Sequence, residues 1–193
     1  MEKLYMQMLE DFHRNARGVF DRIDDRELDG VIEAILAAEK IYVLGIGHSG
    51  FFGRIFAMKL AHVGLSAYTV FDEINPPFTG NDLFIAISQS GETATIVSLA
   101  RKAKKLGGKV LAVTSVKEST LSGLAEAQLT IEKFDGDVDF KALSRIGDLG
   151  NQNFLGALFG YNIFVLFYTI VIMLAERLGE SGDSINARHA NLQ

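Results

Sequence analysis

Apolar positions along the chain fall into two alternating rhythms. Short runs rich in β-branched residues, "KIYVLGIG", "AYTVF", "DLFIAIS", "KVLAVTS" and "AQLTIEK", are separated by longer stretches such as "FFGRIFAMKLAHVG" and "TATIVSLARKAKKLG". Strand-length runs divided by helix-length ones predict βα units, and hence an α/β fold with a parallel sheet of five strands covered on both faces. The runs are apolar nearly throughout, as strands buried on both sides must be. Gly64 and the pair Gly107 and Gly108 follow the two longer stretches as helix stops. The only prolines, Pro76 and Pro77, make "DEINPPFTGND" a turn.

Both ends add helices. Residues 1–39 mix acids and bases with apolar positions at helical spacing and lack the uninterrupted apolar core of a secretory leader. From Leu149 to Ala175 no residue is charged, which predicts one long helix over about 152–178. That length could span a bilayer. Asn151, Gln152, Asn153 and Asn162, with no second apolar span, favour burial in a core or a subunit interface instead. The expectation is one domain over 1–193, cytoplasmic, not in a membrane, and associating through this helix.

Composition narrows the partners. Nineteen basic against 24 acidic residues give a net charge of −5, unlike a surface that tracks nucleic-acid phosphates. The densest basic stretch, "RKAKKLGGK", reads as the solvated face of a helix. There is no cysteine, so disulfides and thiolate metal sites are excluded. The four histidines, His13, His48, His62 and His189, are too dispersed to suggest a ligand cluster, and no metal or organic cofactor is implied.

The candidate chemistry lies in two loops that follow strands, "GIGHSGFFG" and "SQSGET". In an open parallel sheet, ligands bind beyond the carboxyl ends of strands. A helix starting there offers unpaired N–H groups and a positive dipole end to an anion. Ser49, Ser88, Ser90 and Thr93 would add hydroxyl donors, while Gly47, Gly50 and Gly91 let the backbone approach. The set suits a phosphate monoester. Two other readings compete: Ser90 or Thr93 only caps its helix, or Gly45-Ile-Gly47-His-Ser-Gly50, with Asp72 and Glu73 downstream, is a dinucleotide fingerprint.

Taken together, "G-x-G-x-S" and "S-x-S-G-x-T" resemble the sugar isomerase, or SIS, domain family, across most of the chain. "GRIFAMKLAHVGL" and the ending Arg188-His189-Ala190-Asn191-Leu192 are most similar to the 6-phospho-3-hexuloisomerases. The resemblance implies a flavodoxin-like three-layer α/β/α sandwich, binding of a phosphorylated sugar, isomerisation through an enediol, and a homodimer or homotetramer. It further implies that Ser49, Ser88, Ser90 and Thr93 hold phosphate and that His189 reaches a sugar site across a subunit interface. One departure stands out. In the hexuloisomerases the base is a glutamate closing a "M-G-T-x-F-E" segment, whereas this chain has "LGALFG", with Ala157 at the threonine and Gly160 at the glutamate. Glu73 and His48 are the candidate replacements, beside Asp148 and Glu92, and Arg54 and Lys59 could supply positive charge. A phosphosugar sensor without catalysis is the alternative.

Overall fold

The computed structural model describes residues 3–133, 142 and 148–191, with the side chains of 148–155 outside the description. Asp148 is therefore not placed as a site residue. Two helices come first, α1 (Leu4–Phe20) and α2 (Asp25–Leu36). Alternating units follow: β1 (Ile41–Gly45), α3 (His48–His62), β2 (Ala67–Thr69), β3 (Leu83–Ile87), α4 (Ala94–Lys105), β4 (Lys109–Thr114) and β5 (Ala127–Thr130). The chain then forms α5 (Asp148–Leu178) and a short α6 (Gly182–Ala187).

The five strands are parallel, in the order β2-β1-β3-β4-β5. Their alternate residues feed two cores. Ile41, Val43, Leu83, Ile85, Ile87, Leu111 and Val113 face α2, α3 and α5, while Tyr42, Leu44, Phe84, Ala86, Val110 and Ala112 face α4. The period of two explains why both faces are apolar without any charged strand residue in the interior. Chain order reverses between β1 and β3, since β2 flanks β1 on the other side, and a crevice opens at such a point.

The long apolar helix starts at Asp148, four residues before the expected boundary, and ends at Leu178. It has the length and apolarity to cross a membrane. In this fold its inner face is taken up by the protein: Phe159, Ile163, Leu166, Phe167, Ile170 and Leu174 join the larger core. Phe167 stacks on Phe56 of α3 with centroids 4.1 Å apart. Burial of each such side chain contributes about 1.5–3 kcal/mol. The outer face leaves Phe164, Tyr168 and Ile172 exposed at a spacing of four.

Candidate functional site

The β1–α3 connection is built to be short. Gly47 adopts φ 60° and ψ −129°, a region closed to residues with a Cβ, and this turns the chain straight from strand to helix. A Cβ on Gly50 would lie 2.8 Å from the Gly45 carbonyl oxygen, so the glycine spacing answers to close backbone packing at this turn. Ser49 is thereby carried on the first turn of α3, at the carboxyl end of the sheet.

The second loop uses the same device. Gly91 has φ 69° and lets its N–H donate to the Ser88 carbonyl at 3.0 Å, closing a tight turn after β3. Ser88 is buried and its hydroxyl lies 2.8 Å from that of Thr93. Thr93 is the residue before α4, yet its side chain makes no capping bond to the helix. Capping therefore does not account for this threonine: its hydroxyl turns toward Ser88 and leaves the first N–H groups of α4 to other acceptors. Ser90 Oγ accepts from the Glu92 N–H at 3.2 Å and keeps its own proton to donate.

Ser49, Ser88, Ser90 and Thr93 all line one cleft of about 420 Å³ between the ends of β1, β3 and β4. The amino ends of α3 and α4 both point toward it, because each helix follows directly from a strand of the same parallel sheet. Their dipoles add to the hydroxyls in favouring an anion. Three further residues on its wall, Gln89, Ser115 and Lys133, were not singled out from the sequence. Ser115 had a signal, since "KVLAVTS" is a third strand ending in hydroxyl residues. Its Oγ donates to the Gln89 carbonyl at 2.9 Å, tying the β3 and β4 ends together.

The remaining candidates are dispersed. His48, first residue of α3, lays its ring across Gly160 of α5 and edge-on to Phe52, with centroids 4.9 Å apart. Glu73 is exposed in the loop after the edge strand β2 and is not among the described residues lining the cleft. Arg54 lines a separate groove with Thr69 and Asp72, and Lys59 sits over the Tyr168 ring at 5.7 Å. Asp72 accepts a 2.7 Å bond from Thr69 within its own turn. Glu92 accepts from the Thr120 N–H at 2.6 Å, and hydrogen bonding to Thr120 holds its carboxyl below the usual range. Glu92 is thus a brace between loops and a weak proton acceptor.

His189 packs on His62, at the other end of α3 from His48, with ring centroids 3.9 Å apart. Fifteen helical residues at 1.5 Å each place it about 20 Å from the loop that carries Ser49. Arg188 holds the tail there through Glu180 at 2.7 Å and the His62 carbonyl at 3.1 Å. Among the described residues there is no cluster of three or more His, Cys, Asp or Glu side chains suited to a metal.

Known proteins match this arrangement. The SIS domain model matches residues 34–136, which include both loops. A 3-hexulose-6-phosphate isomerase from Bacillus subtilis is 32% identical over 191 residues, 97% of this chain and 96% of that protein. One from Methanocaldococcus jannaschii is 29% identical over 86% of this chain and 84% of its own length. A crystal structure from Methanococcus jannaschii, from which a 3-hexulose-6-phosphate isomerase function has been inferred, superposes with a TM-score of 0.80. It is 26% identical and covers 96% of this chain and 99% of that one. With the two hydroxyl loops at the β1 and β3 ends and relatives of this kind along nearly its whole length, the chain belongs to the SIS domain family.

Proposed function

We propose that this protein is a sugar-phosphate isomerase that interconverts a 3-hexulose 6-phosphate and fructose 6-phosphate. The observation that carries the reading is the convergence of Ser49, Ser88, Ser90 and Thr93 on one cleft at the amino ends of two helices. Likeness to 3-hexulose-6-phosphate isomerases over nearly the whole chain supports the choice of sugar. The phosphate rests on the hydroxyls and N–H groups, and the carbon chain extends from it toward α5.

Moving the ketone requires a base to remove the C2 proton of the 3-ketose, giving a 2,3-enediol, and an acid to return a proton at C3. His48 is the base best supported by position. It adjoins Ser49, and its ring occupies the space beside Gly160 that any side chain there would need. Glu73 is the other residue proposed for the role, at a site completed by a second subunit. His189, about 20 Å from its own cleft, serves a neighbouring copy in the same way. The exposed stripe Phe164, Tyr168 and Ile172 supports a homodimer or homotetramer that brings the tails and clefts together.

The test is proton NMR of fructose 6-phosphate with the protein in heavy water. Exchange at C3 with appearance of the 3-hexulose is the expected result. Gly160 favours a second reading, a phosphosugar sensor, because a glycine supplies no base at that position. Saturable binding without exchange would establish the sensor and remove the isomerase.

A further inference from the structure

Beyond the phosphate cleft, toward α1 and α5, lies a chamber of about 30 Å³. The two spaces share Gln89, Ser115 and Lys133 as walls, so they adjoin. A space of this size admits one water or one hydroxyl group, and neither a phosphate nor a ring. Val19, Ile131, Leu158 and Phe159 make part of it apolar, and its polar lining includes Glu132 and Lys133 beside two asparagines, Asn15 of α1 and Asn162 of α5.

Both asparagines are buried, 4% and 3% exposed. Asn162 Nδ2 donates to Asn15 Oδ1 at 2.9 Å. Asn162 Oδ1 is buried and has no hydrogen-bond partner. A buried polar group in this state is destabilising, and buried polar groups are otherwise paired. The cost is incurred on α5, where Phe159, Ile163 and Leu166 show that apolar side chains fill the neighbouring buried positions. An unpaired amide oxygen at a hydroxyl-sized space next to the cleft has the form of a waiting receptor.

Resting on the sugar-phosphate reading above, we infer that Asn162, oriented by Asn15, reads a hydroxyl of the substrate's carbon chain. The phosphate is fixed at the hydroxyl cradle, the chain passes Gln89 and Ser115, and one hydroxyl enters the chamber and pairs with the free end of the Asn162 amide. The substrate class is accordingly a phosphorylated polyhydroxy chain carrying a hydroxyl at one set reach from its phosphate. Asn162 is a specificity residue and leaves phosphate capture to the serines.

The test is calorimetric titration of the wild type and Asn162→Leu with inorganic phosphate, fructose 6-phosphate and a set of its monodeoxy analogues. Leucine keeps the volume and removes the amide. Asn162→Leu should bind inorganic phosphate within twofold of wild type and fructose 6-phosphate at least tenfold more weakly. One deoxy analogue should lose the same tenfold on the wild type and nothing further on the variant. If Asn162→Leu fails to fold, a wild type that loses no affinity for any monodeoxy analogue still overturns the inference. Equal fructose 6-phosphate affinity in both proteins overturns the inference and makes the chamber a water site. Equal weakening of both ligands overturns it too, as general distortion. A wild type that binds fructose 6-phosphate no better than inorganic phosphate overturns the sugar-phosphate reading itself, and this inference with it.

Discussion

The imidazole of His48 lies against the backbone of Gly160. A Cβ at residue 160 would overlap that ring, 2.9 Å from its Nδ1, and would stand 2.6 Å from Cε2 of Phe52. Two residues 112 positions apart thus divide one volume between a long side chain and none. Gly160→Ala should destabilise the fold by about 1–3 kcal/mol, the usual cost of overpacking. His48→Ala should return part of that loss in the double variant, because the two sites share the space, while the Phe52 contact keeps the rest. Urea unfolding of the four proteins measures the coupling, and additive effects would show that the ring simply moves aside. For catalysis, His48→Ala alone should lower the isomerisation rate at least a hundredfold while leaving phosphate affinity intact.

The Ser88 and Thr93 hydroxyls, 2.8 Å apart, give a second expectation. A hydrogen bond to a charged group contributes about 1.5–3 kcal/mol, so removing both hydroxyls should weaken sugar-phosphate binding by about a hundredfold or more. Since Thr93 does not cap α4, Ser88→Ala with Thr93→Ala should leave the unliganded melting temperature within a few degrees of wild type. Thermal shift against fructose 6-phosphate reads both numbers at once. Unchanged affinity would remove the cleft from the mechanism.

Much of this was legible in the chain because it depends on local periodicity. Alternation of strand and helix lengths, with Gly47 and Gly91 where the backbone must reverse, placed both loops at one edge of the sheet before any coordinates. What stayed hidden depends on long-range juxtaposition. A polar residue on α1 such as Asn15 reads as solvent-facing, and only packing of α5, 147 positions away, makes it a buried partner of Asn162. Thr93 reads as a cap because its position favours one, and only Ser88 opposite shows where its hydroxyl goes. Glu73 is a candidate because it follows the second strand and His189 because it matches the family's C-terminal histidine, and the topology sets each away from its own cleft: β2 is the edge strand, and α3 carries His62 to the far end of the sheet.

The loop glycines separate strain from propensity. At Gly91, with φ 69°, a Cβ would overlap the Ser119 side chain. Backbone strain of this kind costs about 1–3 kcal/mol before the clash is counted. Gly91→Ala should therefore lower stability by about 2 kcal/mol or more and weaken ligand binding, because Ser88 and Ser90 hang on the same turn. Gly30, inside α2, is the opposite case, for nothing lies within 4 Å of its added Cβ. Gly30→Ala should stabilise by about 0.5–1 kcal/mol through helix propensity. Chemical denaturation that moved both variants in the same direction would contradict the assigned geometry.

The tail contact makes stability depend on pH. Burial pushes the His62 imidazole below its ordinary value, with His189 and Lys59 adding in the same direction. The unfolded chain therefore takes up a proton near pH 6.5 that the folded protein refuses. Protons bound by the unfolded state alone favour unfolding, so the stability from neutral His62 is complete above about pH 6.5 and is lost as pH falls through the lower folded value. Glu180 acts in the same sense, its carboxyl held down chiefly by Arg188, but only at pH values below the normal carboxylate range. Melting curves at pH 7.5, 6.5 and 5.5 should show a falling midpoint in the wild type and a flatter profile in His62→Gln, with His189→Ala between them. An identical slope in wild type and His62→Gln would assign the pH dependence to another group and leave the His62–His189 stack as packing alone.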